Sequence, residues 1–237
     1  MTKEKRIAYI LTIVFLTTLQ FSYAQDFDYP VLPSQGKNQA AFVPAGWIIL
    51  DSAYGDLNKD GLNDIVIIIQ KRDSVNMIND ASDTVLTHPR ILAILFQQSN
   101  NILSLAEQSN SFILKHDNPS MDDPYSRLVI NKGVLEINFS FFYNIGSWYI
   151  TNTTYKFRFQ QKQFVLTGAE KYSFHRATHH FEEYSYNFLT KVRMKTTGKD
   201  EKVTRKATTK FTSRPTLQTL KTFIKPFTWQ VEKDHYL

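Results

Sequence analysis

Apolar residues along this chain recur mainly at every second position, in short blocks separated by Asn, Asp, Gly, Ser and Pro. The clearest case is 147–160, where Tyr155, Phe157 and Phe159 alternate with Lys156 and Arg158. That alternation is the pattern of a strand with one buried face. Similar blocks predict strands over 47–55, 90–98, 102–109, 127–131, 134–142 and 163–175. Lys132-Gly133 sits between two of them as a hairpin turn. One block differs. "DIVIIIQK" (64–71) is continuously apolar and β-branched, which predicts a central strand covered on both faces.

The remaining segments are more polar. Residues 72–89 are rich in Asn, Asp and Ser and read as a loop, and 115–126 read as a second acidic loop. Residues 182–198 and 201–213 read as the two strands of a polar hairpin. After Pro215, Leu217, Leu220, Phe223 and Ile224 recur at helical spacing, which predicts a short amphipathic helix over 216–224. No long helix or internal repeat is evident. The expected fold is mainly β: a single domain of antiparallel strands in a meander, with that short C-terminal helix.

The N-terminus has its own pattern. Lys3, Lys5 and Arg6 precede a mainly apolar run from Ile7 to Leu19, and Ser22 and Ala24 place small residues before Gln25. This is the three-part plan of a secretory signal peptide over 1–24. The run is shorter than the roughly 20 apolar residues of a membrane span. An extended lead-in segment with three prolines follows over 25–46, and the β-rich domain occupies 47–237. The expected location is periplasmic or extracellular, with no transmembrane segment after cleavage.

Composition changes this picture in two respects. The chain contains no cysteine, so an exported protein of this sequence must be stabilised without disulfides. The formal charge of +6 is unevenly spread. Residues 190–237 carry 12 basic and 4 acidic side chains, whereas 25–189 carry 13 basic and 17 acidic. The basic C-terminal region is either a solvated surface or a face for an anionic surface such as lipid or acidic glycan. Nucleic acid is not an expected partner of an exported chain.

The most specific chemistry lies in "GDLNKDGLND" (55–64), which runs directly into the apolar strand. Calcium takes six to eight oxygen ligands, and a short loop supplies several when alternate side chains point inward. Asp56, Asn58 and Asp60 stand at loop positions one, three and five. Gly61 stands at the sharp turn, the Leu62 carbonyl at seven and Asp64 at nine. Position twelve is Ile67 rather than the Glu of a helix–loop–helix EF-hand. The segment 53–69 resembles the strand–loop–strand calcium loops of FG-GAP and related integrin-type repeats. That resemblance implies Asp56, Asn58, Asp60, Leu62 and Asp64 as Ca2+ ligands. Asp51, or one of Asp117, Asp122 and Asp123, is a candidate to complete the shell. The plainer alternative is an acidic turn, since Asn, Asp and Gly favour turns for local reasons.

A second cluster, "FHRATHHFEEY", holds His175, His179, His180, Glu182 and Glu183. On a helix, His175 and His179 would share a face and could hold zinc; on strands, the five groups divide between two faces. The segment 174–190 loosely resembles the C-terminal part of exported proteins of Gram-negative, Bacteroidetes-like bacteria, a group that implies no activity. Trp47, Trp148, Tyr149 and Trp229 are either packing residues or a sugar-stacking platform. The chain has no GxSxG motif and no glycine-rich phosphate loop. Two classes of function follow. One is a calcium-binding, non-catalytic envelope protein that engages a protein or glycan partner. The other is a hydrolase of envelope material built on the His/Glu cluster. An inhibitor or immunity-type periplasmic protein is a variant of the first.

Overall fold

The structure is a computed structural model that describes residues 27–210, 217–223 and 225–237. The predicted leader over 1–24 lies outside the described residues. No helix among the described residues is long and apolar enough to cross a membrane.

The described chain is mainly β. It runs through β1 (Gln35–Gly36), a 3-10 turn (Gln39–Phe42), β2 (Trp47–Gly55) and β3 (Asp64–Lys71). A small hairpin follows, β4 (Val75–Ile78) and β5 (Thr84–Thr87), then β6 (Arg90–Gln97) and β7 (Leu103–Ser109). The second half is a meander: β8 (Tyr125–Asn131), β9 (Val134–Phe142), β10 (Tyr149–Gln160) and β11 (Gln163–His175). It continues through β12 (His180–Asn187), β13 (Val192–Lys199) and β14 (Lys202–Lys210). The short pair β15 (Gln230–Glu232) and β16 (His235–Tyr236) ends the chain.

These strands form two principal antiparallel sheets. The smaller has the order β1-β7-β6-β3-β2, and the larger runs β14-β13-β12-β11-β10-β9-β8. The continuous apolar run of β3 has the predicted consequence. Val66 and Ile68 enter one core, between the sheets. Ile67 and Ile69 enter a second core, beneath the lead-in segment with Leu32, Phe42 and Trp47. β6 divides its side chains the same way, Leu92 and Ile94 against Ile91, Ala93 and Leu95. The small sheet is thus the middle layer of three.

The large sheet contributes one face to the inter-sheet core. Leu135, Ile137 and Phe139 of β9 pack with Tyr155 and Phe157 of β10 and Leu166 of β11. Phe112 is buried at the centre, edge-on to Tyr155, Phe157 and Phe223 with centroids 5.2–5.6 Å apart. Such edge-to-face geometry suits the ring quadrupoles.

Three predicted elements differ. Residues 72–89 are not a plain loop but contain the β4–β5 hairpin. Its docking is tertiary: Thr87 Oγ1 donates to the His116 carbonyl at 2.7 Å, and Asp80 holds Lys225 at 2.5 Å. The run 182–198 is two strands. Asn187 Oδ1 accepts from the Leu189 and Thr190 amides, which turns the chain between β12 and β13. The C-terminal helix is reduced, over its described residues 217–223, to a bridge of Thr219 to Val165 and one hydrogen-bonded turn. Leu220 and Phe223 still reach the core, so the apolar spacing served burial without helix formation. Thr216 and Ile224 lie outside the described residues.

A polar joint links the layers. Arg90 is only 3% exposed; it donates to Gln70 Oε1, the Leu114 carbonyl and both oxygens of Asp123. Burial alone would raise the Asp123 pKa, but the Arg90 hydrogen bonds and charge outweigh it and hold the carboxyl below its ordinary value. A carboxylate depressed in this way adds stability above its unfolded pKa, about 3.9, and loses it as pH falls through the folded value. Asp123→Asn is therefore expected to lower the urea midpoint at pH 7 and to flatten its fall below about pH 4. An unchanged acid limb would show that the pair does not govern it.

Candidate functional site

The 55–64 loop closes the β2–β3 hairpin at the junction of the two sheets. Leu57 is buried in the inter-sheet core, and a Cβ on Gly55 would meet Ile130 Cγ2 at 2.6 Å. The loop bends through Lys59 (φ 65°) and Gly61 (φ 87°). These left-handed conformations suit the glycine at the sharp turn.

The carboxylates organise the backbone around themselves. Asp56 Oδ1 accepts from Lys59 N at 2.6 Å and Asp60 N at 3.2 Å, and its Oδ2 accepts from Gly61 N at 3.0 Å. Asn58 Oδ1 accepts from Asp60 N, while Asn58 Nδ2 donates to Asp60 Oδ2 at 2.9 Å. Asp60 Oδ1 accepts from Leu62 N at 2.8 Å. Asp64 is fully buried. Its Oδ2 accepts from Leu57 N and Asn58 N, and its Oδ1 accepts from Gln97 N of β6 at 3.1 Å. Burial raises the Asp64 pKa, the three amides oppose this, and the charge of Asp60 adds to the rise.

The five predicted ligands are therefore gathered on one loop. Their chemistry is that of a hard-cation donor set: three carboxylates, one amide and one backbone carbonyl. A carboxylate oxygen that accepts an amide retains lone-pair capacity. Among the described residues, however, no three His, Cys, Asp or Glu side chains group as a ready-made metal site. Two of the four predicted completing groups are engaged elsewhere. Asp51 Oδ2 accepts from the Tyr125 hydroxyl at 2.5 Å, and Asp123 is paired with Arg90.

The histidine cluster is spread over the β11–β12 hairpin and its neighbours. His175 Nδ1 accepts from the Ala177 and Thr178 amides. His179, exposed, lies 3.0 Å from Asp200 Oδ1. His180 pairs with Lys199 along the sheet. Glu182 is bridged to Lys195, and Glu183 pairs with Tyr172 and Thr196 on the alternate face. The residues share a hairpin, not a cleft. The aromatic platform is likewise dispersed. Trp47 belongs to the second core, Trp229 packs on Phe188, and only Trp148 and Tyr149 are exposed together.

The structure also reveals a cavity that the sequence did not announce. It measures about 980 Å³ and is open to solvent. Its walls come from the β4–β5 tip, residues 110–124, the inner face of β9–β11 and residues 225–227. Lys115, Lys171 and Lys225 line it alongside Ile113, Met121, Phe141 and Phe227. The lining is collected from distant parts of the chain, so no local motif marks it. The volume falls in the range of small-molecule sites.

The chain matches no protein-family model, and no curated protein or solved structure shows significant similarity to it.

The 55–64 loop rests against the β8–β9 turn. Gly133 has φ 73°, and a Cβ there would stand 3.2 Å from the Asp56 carbonyl. Gly133→Ala is expected to destabilise the protein by about 1–2 kcal/mol, the cost of a left-handed non-glycine residue, read from the urea midpoint. A neutral effect would show that the turn and loop are not tightly packed.

Proposed function

We propose that this protein is an exported, non-catalytic binding module of the cell envelope that takes its ligand in the inter-layer cavity. The observation that carries the reading is the cavity itself, whose lining combines apolar and aromatic side chains with polar and charged groups. That composition is characteristic of ligand sites rather than packing defects. The leader-like N-terminus supports export. The scatter of His175, His179, His180, Glu182 and Glu183 removes the convergence that a hydrolase built on them requires.

Within this reading the 55–64 loop is a calcium clip. Asp56, Asn58, Asp60, the Leu62 carbonyl and Asp64 would hold the ion, which would offset the mutual repulsion of the three carboxylates. Its role is structural, because the loop ties the β2–β3 hairpin to β6 and to the β8–β9 turn. The resemblance to FG-GAP loops supports the assignment. The exposed basic strand β14 offers Lys202, Lys206 and Lys210 to an anionic envelope surface.

Two measurements test the proposal. In a thermal melt, calcium at millimolar concentration should raise the Tm relative to chelator, because a ligand bound only by the native state stabilises it. Asp60→Ala should lose that rise while melting close to wild type in chelator. Equal loss in both buffers would remove the calcium clip. Separately, the neutral dye Nile red should gain fluorescence on the native protein, and Ser173→Phe, which fills the cavity from β11, should reduce the gain. A dye response indifferent to that substitution would place binding elsewhere.

A further inference from the structure

The two ends of the cavity differ in chemistry. On the inner face of the large sheet, Thr151 and Ser173 are cross-strand partners with their hydroxyls 3.3 Å apart. Lys171 lies two residues along β11 on the same face, opposite Thr153. Its ammonium contacts the Tyr236 carbonyl at 3.4 Å. Among the described residues no carboxylate lies within ion-pair distance of it. Lys115, across the cavity, makes no close ion pair but lies within the field of Asp117 and Asp80, and Lys225 is held by Asp80. Ile113, Met121, Phe141 and Phe227 supply an apolar stretch of wall, while Asp80 and Asp117 bring carboxylates to the side of Lys225 and Lys115, away from Lys171.

Two further observations concern the Lys171 end. Burial lowers the Lys171 pKa below its ordinary value, the expected effect of a desolvated cation without a counter-charge. Thr153, its cross-strand neighbour, is fully buried and its hydroxyl has no hydrogen-bond partner. Buried polar groups are normally satisfied, and a half-buried cation is normally paired. This side of the cavity therefore carries a positive charge met by one long contact to a neutral carbonyl and by no carboxylate.

Resting on the reading of the cavity as a ligand site, we propose that its ligand is an anionic amphiphile, an apolar chain with one carboxylate or phosphate head. The head sits against Lys171, Ser173 and Thr151, which line the cavity from one face of the large sheet. The chain lies along Ile113, Met121, Phe141 and Phe227. Lys115 adds positive potential from the opposite wall. Charge selects the head, and apolar area supplies most of the affinity.

Isothermal titration with dodecanoate, dodecyl phosphate and dodecanol, each below its aggregation concentration, tests this. At least one of the two anions should bind, with dodecanol at least tenfold weaker. Binding of dodecanoate alone would identify a fatty carboxylate, and of dodecyl phosphate alone a lipid phosphate. Lys171→Met and Lys171→Gln, checked by their melting temperatures, should each weaken anion binding at least tenfold. Lys115→Met should have a smaller effect. Equal affinity for dodecanol, or unchanged affinity in both Lys171 variants, would overturn the anionic class while leaving a cavity that binds neutral Nile red. Failure of all three probes together with Nile red would overturn the cavity reading itself.

Discussion

Strand β3 must be apolar on both faces because it divides two cores, and much of the architecture follows from that constraint. Val66 and Ile68 face the large sheet, while Ile67 and Ile69 face the lead-in segment. A strand with no solvated face needs neighbours on both sides, and β2 and β6 provide them. It also needs a cover for its second face, provided by Leu32, Phe42 and Trp47. In a chain without cysteine, this double burial contributes to both cores, since each buried aliphatic side chain is worth roughly 1.5–3 kcal/mol.

The same strand explains the placement of the acidic loop. β3 begins with Asp64, whose carboxylate is buried and accepts amides from Leu57, Asn58 and Gln97. The loop is thus anchored to the end of the most buried strand and to β6. A charge at that place is costly unless it is hydrogen-bonded, and the three amides meet part of that need. Asp60 and Asp56 add negative charge on the exposed side.

The large sheet is longer than the core it covers. Its inner face is aromatic near Tyr155 and Phe157 but becomes polar toward Thr151, Lys171 and Ser173. That change of character leaves the cavity, where the β4–β5 hairpin and residues 110–124 stand off from the sheet. A bulge in the β10–β11 register has a large part in this. Lys156 pairs with Gly168 but Phe157 pairs with Leu166, so the side-chain alternation of β11 reverses between Leu166 and Ala169. Without it, Glu170 would face the inner side and Lys171 the outer.

Sequence alone determined most strands of the two main sheets, though not β1 or the division of 182–198 into β12 and β13, together with the Lys132-Gly133 hairpin turn and the double burial of the apolar run within 64–71. Each rests on residues near one another in the chain, whose periodicity or turn preference acts locally. Tertiary structure decided the rest. The β4–β5 hairpin is polar, and its register is held by contacts to His116 and Lys225. Residues 217–223 form a turn rather than a helix because Thr219 bridges to Val165. The histidines, close in sequence, are spread around the β11–β12 turn, with His175 ending β11, His179 in the left-handed region and His180 beginning β12. The cavity, in contrast, draws Ile113, Phe141, Lys171 and Phe227 together from four segments. Which way Lys171 points depends on a one-residue bulge, and a contact between remote segments leaves no periodic trace in any one of them.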